Sequence, residues 1–152
     1  MLKIIVIVLL VLVAGYFFLR WLLPALSPRP DGLGVENGRL SSCPDKPNCV
    51  STFASDQEHG MEPLTYDGGM GDAHQQISSI IKQMDGTTII ISQPDYLYAE
   101  FRTPRLNLID DVEFLFDDEN KIIQFRSASR LGYSDFGVNR ERMEAIVTAY
   151  NR

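Results

Sequence analysis

The longest apolar run lies at the start of the chain. Ile4 to Leu19 contains no charged residue and is mostly Ile, Val, Leu and Phe, with Lys3 before it and Arg20 after it. With Leu2, Trp21, Leu22 and Leu23 it makes about 20 apolar residues, the length that crosses a bilayer core. Arg20 then falls near the far interface, where its stem can snorkel and Trp21 is at home. A cleaved signal peptide competes for this segment, but such peptides have a shorter apolar region that ends at small residues in an A-x-A-like pattern. Ala25 and Ser27 in LLPALSPRP match that pattern poorly. The expectation is an uncleaved transmembrane anchor over residues 1–23. Pro24, Pro28, Pro30, Gly32 and Gly34 make residues 24–37 read as an extended linker, which leaves residues 38–152 as the domain.

From Leu40 to Gly71 turn-forming residues surround isolated apolar points such as Val50, Phe53, Met61, Leu64 and Tyr66, without helical or strand periodicity. This stretch reads as a loop wrapping the core. Asp72 then offers an N-cap with Gln75 completing a capping box, and Ile77, Ile80, Ile81 and Met84 follow the spacing of one buried helix face up to Gly86. Beyond Gly86 the period falls to two. Thr87–Ser92 is β-branched; Leu97, Ala99 and Phe101 alternate with Tyr96, Tyr98, Glu100 and Arg102. Val112, Phe114 and Phe116 alternate with Asp111, Glu113 and Leu115, and Ile123 and Phe125 oppose Gln124, Arg126 and Arg130. Short links make these four runs antiparallel neighbours. After Asn139, taken as a cap stapled by Val138, the residues Met143, Ile146, Val147 and Tyr150 repeat the helical stripe. The predicted fold class is α+β: a transmembrane helix, then a two-layer domain with a four-stranded antiparallel meander packed against two helices.

Charge narrows the partners. The whole chain carries 14 basic and 20 acidic residues; beyond residue 30 the balance is 11 against 20, a net of −9. That excludes nucleic acid as an expected ligand, because its binding rests on phosphate neutralisation, and it opposes general adhesion to an anionic bilayer. The cysteines bear on compartment. Cys43 and Cys49 lie six apart in CPDKPNC, where they can close a small disulfide ring, remain free thiols or supply half of a metal site. A structural zinc site needs two further Cys or His, and His59 and His74 have no matching spacing. The ring is the reading carried forward, and it implies an oxidising compartment. Basic residues flank both ends of the apolar run, so positive-inside counting does not set orientation. The disulfide does, with the amino terminus inside and the domain outside the cytoplasm.

The polar sheet face is the candidate for chemistry. Arg102, Arg126 and Arg130 face Glu100, Asp111 and Glu113 across adjacent strands and can be paired internally. Alternatively one or two arginines stay free to grip a carboxylate or phosphate bidentately. In the GYSDFGVN turn, Asp135 or Ser134 is expected to cap the last helix or to hold Arg140. Ser134 sits in G-x-S-x-x-G after a meander, which is not a nucleophile elbow. GGMGD before the first helix has a cradle's glycines but places Asp72 where a phosphate would sit. His59 and His74 read as solvated. Asp110 and Asp111, adjacent on a strand, point to opposite faces and form no dyad.

CPDKPNCV (Cys43 to Val50) and RSASRLGYSDFGVNRER (Arg126 to Arg142) closely resemble the bacterial and plastid family of unknown function called DUF1499, a resemblance that runs from about Gly38 to Tyr150. It implies that Cys43, Asn48, Cys49, Arg126, Ser127, Ser129, Arg130, Gly132, Asp135, Gly137, Asn139 and Arg140 fall on the family's motif positions. Thr52 stands where members often have serine. The resemblance implies company among envelope proteins and no established activity. The functional expectation is a binding or accessory module of the cell envelope. It would be single-pass in the inner (cytoplasmic) membrane through residues 2–23, with its domain facing the periplasm or another extracytoplasmic space. Its partner would be an envelope protein or a small anionic ligand, with no cofactor, no metal and no assigned catalytic residue. The alternative is an enzyme or small-anion binder using Arg126, Arg130 and Arg140, with Asp135 and Asn139 at the same corner. A lipid-binding domain is the third reading.

Overall fold

A computed structural model describes the whole chain, Met1–Arg152. Helix α1 covers Leu2–Ala25 and none of its residues is buried; its mean hydropathy of 2.8 and its length suffice to cross a bilayer. Strands β1 (Val35–Glu36) and β2 (Arg39–Leu40) form a minimal hairpin. Its turn residues Asn37 and Gly38 both have positive φ, 51° and 74°, the geometry that an Asn-Gly pair favours. Strands β3 (Cys49–Ser51) and β4 (Leu64–Thr65) precede helix α2 (Met70–Lys82). Strands β5 (Thr87–Ser92), β6 (Tyr96–Arg102), β7 (Ile109–Asp117) and β8 (Ile122–Ser129) make the meander, and helix α3 (Val138–Tyr150) ends the chain.

The main sheet has six strands where periodicity predicts four. The order is β3-β8-β7-β6-β5, with β4 also on the outer edge of β8, and all named pairs are antiparallel. β3 and β4 have only three and two residues, too few to display a period of two, so a stretch that reads as loop supplies the sheet edge. The β3–β8 register sets Cys49 opposite Ala128, Val50 opposite Ser127 and Ser51 opposite Arg126. The CPDKPNCV and RSASR blocks, far apart along the chain, thereby become strand neighbours.

One sheet face forms the core. Phe101, Val112, Phe114, Ile123 and Phe125 pack beneath Ile77 and Ile81 of α2 and Met143 and Ile146 of α3, as the helical stripes require. The helix ends differ from expectation. α2 begins after Gly69 and Asp72 lies in its first turn without a capping hydrogen bond, where its charge still favours the helix dipole. The helix stops at Lys82 rather than at Gly86, which lies three residues past the Gln83 cap and opens β5.

The opposite face is covered too. Leu40 packs with Tyr96, Tyr98 and Leu115, joined by Leu33 and Phe53. The Gly34 N–H donates to Glu113 Oε1 at 2.8 Å, and the Arg29 guanidinium donates to Glu100 Oε1 at 2.9 Å. Residues 27–40, of which 27–37 fall in the expected 24–37 linker, are therefore a strap laid across the polar face and form a third layer. The buried carboxylates of that face supply the reason: they need donors, and the strap brings a backbone N–H and a guanidinium.

Gly86 has φ +76° and accepts the Arg102 N–H at 3.0 Å; a Cβ there would run into the Arg102 carbonyl oxygen. Gly86→Ala is expected to destabilise the domain by at least about 2 kcal/mol, read as a lower urea midpoint with an unchanged slope.

Candidate functional site

Period-two alternation on β6, β7 and β8 puts Tyr98, Glu100, Asp111, Glu113, Arg126 and Arg130 on one face, and registry brings them together. Arg130 is the centre. Its Nε donates to both Asp111 oxygens at 3.1 and 2.9 Å, and its Nη2 donates to Asp111 Oδ1 at 2.7 Å, Glu100 Oε1 at 2.6 Å and the Tyr98 hydroxyl at 2.9 Å. Its Nη1 reaches the Ser27 carbonyl of the strap at 3.2 Å. The side chain is 5% exposed. Desolvation works to lower the Arg130 pKa, but bonds from Asp111 and then Glu100 outweigh it and fix the guanidinium as charged. Burial likewise works to raise Glu100; hydrogen bonds from Arg29 and Arg130 overcome it and hold the carboxyl below its ordinary range. Burial, reinforced by Asp111 at Tyr98 and by Glu113 at Tyr96, pushes both phenols up, so they act as neutral donors.

A second network ties the cysteine ring to α3 on the other side of the sheet. Asn139 is fully buried. Its Nδ2 donates to the Asn48 carbonyl at 3.0 Å, Ser129 Oγ at 3.0 Å and Asp135 Oδ2 at 2.8 Å, while its Oδ1 accepts from Ser127 Oγ and Arg142 Nη1, both at 2.6 Å. Arg142 also donates to Asp110 Oδ2 at 2.5 Å. Asn139 thus sits inside α3 and does not cap it. Asp135 does that work, accepting the N–H groups of Gly137 at 2.9 Å and Asn139 at 2.8 Å, with Gly137 at φ +87° making the turn. Asp110 and Asp111 point to opposite faces as expected, one to Arg142 and the other to Arg130. Arg140 bonds neither Asp135 nor Ser134; it donates to the Glu58 and Gly60 carbonyls at 3.0 and 3.1 Å, pinning the loop after β3.

The ring itself is closed: Cys43 and Cys49 are disulfide-bonded, with Cα atoms 5.6 Å apart. It walls a cleft of about 560 Å³ that runs between the strap and the turn after β8. Lys46, Arg126 and Arg130 line this cleft and no acidic residue does. Arg126 differs from its neighbours. Its one hydrogen bond goes from Nη1 to Glu113 at 3.3 Å, and its Nε is buried with no partner. Glu113, fully buried, already accepts from Tyr96 and Gly34. Asn48 faces the same cleft with its Oδ1 buried and unpartnered, its amide orientation fixed by Nδ2 donating to the Gly132 carbonyl at 3.0 Å.

Of the residues singled out from sequence, Arg126 and Arg130 share this cleft. Asn139 lies buried behind it, and Asp135 and Arg140 both border a separate depression beside Phe136. Lys46 and the strap were not identified from sequence; the Asn37-Gly38 dipeptide is the signal that marks the strap as structured. His59 is also not a solvated side chain: it bonds Asp56 at 2.7 Å and the Lys46 carbonyl at 3.2 Å. No three His, Cys, Asp or Glu side chains converge to hold a metal ion.

The profile of a family described as a protein of unknown function, DUF1499, matches residues 39–150. The chain belongs to that family. No curated protein and no solved structure matches it.

Two expected outcomes follow from the unequal pairing. Arg130→Ala leaves the buried Asp111 and Glu100 without their main partner and is expected to cost about 3–5 kcal/mol. Arg126→Met leaves Glu113 Oε1 its two donors but strips the buried Oε2 of its one partner, and is expected to cost about 2 kcal/mol; urea titration at neutral pH separates the two. Because the Glu100 pKa is lowered on folding, the stability it contributes is complete above its ordinary value of 4.5 and is lost as pH falls through its folded value. Glu100→Gln should reduce stability at neutral pH and flatten the acid fall below pH 4.5, read from melting temperature against pH.

Proposed function

We propose that this DUF1499 domain is a membrane-anchored binding or accessory module of the cell envelope, held by α1 with its domain outside the cytoplasm, and that it takes a small anion in the Arg126 cleft. The observation carrying this reading is Arg126, the one guanidinium with a buried and unpartnered Nε. Arg130 is taken up by Asp111 and Glu100, Arg142 by Asp110, Ser127 and Asn139, and Arg140 by carbonyls, whereas Arg126 has an orphaned Nε beside a cleft lined by Lys46 and Arg130 and by no acidic residue. A guanidinium with free donors recognises a planar carboxylate or a phosphate by paired hydrogen bonds. The unpartnered Asn48 Oδ1 asks in addition for a donor on the ligand, so a hydroxy acid, an amino acid or a phosphorylated alcohol fits better than a bare anion. The disulfide supports the compartment, since such bonds persist where thiols are oxidised, and the length and apolarity of α1 support the anchor.

The test is isothermal titration of the full chain in detergent with inorganic phosphate, lactate and serine. Saturable binding of at least one is expected, with loss in Arg126→Met titrated well below that variant's own melting transition. Heat effects equal in Arg126→Met and parent, or absent from both, overturn the anion reading. Topology is read separately by thiol labelling of intact and lysed cells: cysteines labelled only from the cytoplasmic side overturn the placement.

A further inference from the structure

The loop between β6 and β7 is lashed to α1. The Tyr16 hydroxyl donates to the Arg105 carbonyl at 2.7 Å, and Arg20 Nη1 donates to the Pro104 and Arg105 carbonyls at 2.5 and 2.9 Å. Counted from Leu2 along the helix, Tyr16 and Arg20 lie about 21 and 27 Å up an apolar cylinder, against a hydrocarbon thickness of about 30 Å. A loop fixed at that height cannot stand clear of a bilayer that α1 crosses; it lies between the outer third of the hydrocarbon and the headgroups.

Next to that loop lies a partly apolar cleft, whose polar lining includes Asp110 and Asp135. Arg105 and Leu106 share a cleft of about 350 Å³ with Leu108, Leu131, Phe136 and Val138. Phe136 is 93% exposed, Tyr133 70% and Leu106 38%. Phe136 also has φ +58°, a conformation that costs a bulky residue free energy and marks sites where structure serves something other than stability. It is held there by turn bonds: its N–H donates to Ser134 Oγ at 3.1 Å, and the Gly137 N–H donates to Asp135 Oδ1 at 2.9 Å. The fold thus fixes a large ring in water on the side next to its own apolar helix.

We propose that Phe136 and Leu106, flanked by Tyr133 and Arg105, form a docking face that inserts into the surface of the same bilayer that α1 crosses. The bilayer accounts for each observation at once. Insertion removes the exposed apolar area from water, the interfacial level suits Tyr133, and the Arg105 guanidinium, which has no ion-pair partner in the fold, meets lipid phosphates. The net negative charge of the domain opposes adhesion from solution, so docking depends on α1 holding the face at high local concentration. The inference rests on the anchoring reading and goes beyond it, because a tethered domain has no need to touch the membrane.

The test places tryptophan at the tip: Phe136→Trp in a Trp21→Phe background, full chain, in vesicles of phosphatidylcholine and phosphatidylglycerol with bromine at defined acyl depths. Trp21 is the sole native tryptophan, so the parent chain reports on the anchor and the double variant reports on the tip. The expected result is quenching of both, with the tip emission blue-shifted and quenched most by the shallowest bromines. A quenched parent with a tip that emits as in water and is quenched only by aqueous iodide overturns the docking face and leaves the anchor standing. A parent that no brominated lipid quenches overturns the anchor, and with it this inference. Phe136→Ser is the companion variant: exposed in the fold, it should leave the melting profile unchanged and abolish protection of the Ser134–Gly137 backbone from hydrogen exchange on vesicles. Equal protection in parent and Phe136→Ser overturns docking.

Discussion

Burying a guanidinium and two carboxylates costs several kcal/mol per ion before any attraction is counted, and Arg130 is where this protein meets that cost. One side chain bridges β6 through Glu100 and Tyr98, β7 through Asp111, and the strap through the Ser27 carbonyl. Three segments remote in sequence are satisfied only in one relative arrangement. A slip of one residue in β8 would turn Arg130 to the apolar face and leave both carboxylates unpaired under the strap, so the pair does more to specify register than to add stability.

The dependence extends outward. Because Asp111 and Glu100 are neutralised from β8, the strap can lie over them, and because the strap lies there, Leu33 and Leu40 have a surface to bury. On the other face the same strand offers Ser127 and Ser129 to Asn139 and Asp110, which fixes α3 against the cysteine ring. Strand β8 therefore feeds two polar networks through alternate residues. Most of the sequence block RSASR is explained by that double duty, with Arg126 as the residue left over.

How much of this could be read in the chain depends on element length. Alternation declared β6 to β8, a β-branched run declared β5, and four apolar positions at helical spacing declared α2 and α3. The pairing of Arg102, Arg126 and Arg130 with Glu100, Asp111 and Glu113 was legible for the same reason, since parity alone assigns a face. β3 and β4 were not, because two or three residues carry no period. The strap was hidden by its prolines and glycines, which read as flexibility, although the buried carboxylates beneath it were a sign that something had to cover them. Of the caps the sequence offered for α3, Asp135 holds it and Asn139 does not, because a left-handed Gly137 lets an acid two residues earlier reach the free N–H groups. The site itself was half visible: Arg126 and Arg130 were named, but only geometry separates the spent cation from the spare one.

The strap has a mechanical meaning as well. A spacer of a dozen flexible residues would let a domain roam a hemisphere above its anchor, and its binding surfaces would sample every orientation. Here the chain leaves α1 at Ala25, enters the sheet by Ser27 and is clamped at Arg29, so almost no free length remains. The domain is a fixture rather than a pennant. Its Arg126 cleft, whose rim includes Pro30 of the strap, is therefore set close to the end of the helix, with only residues 26–28 between the helix and the Arg29 clamp.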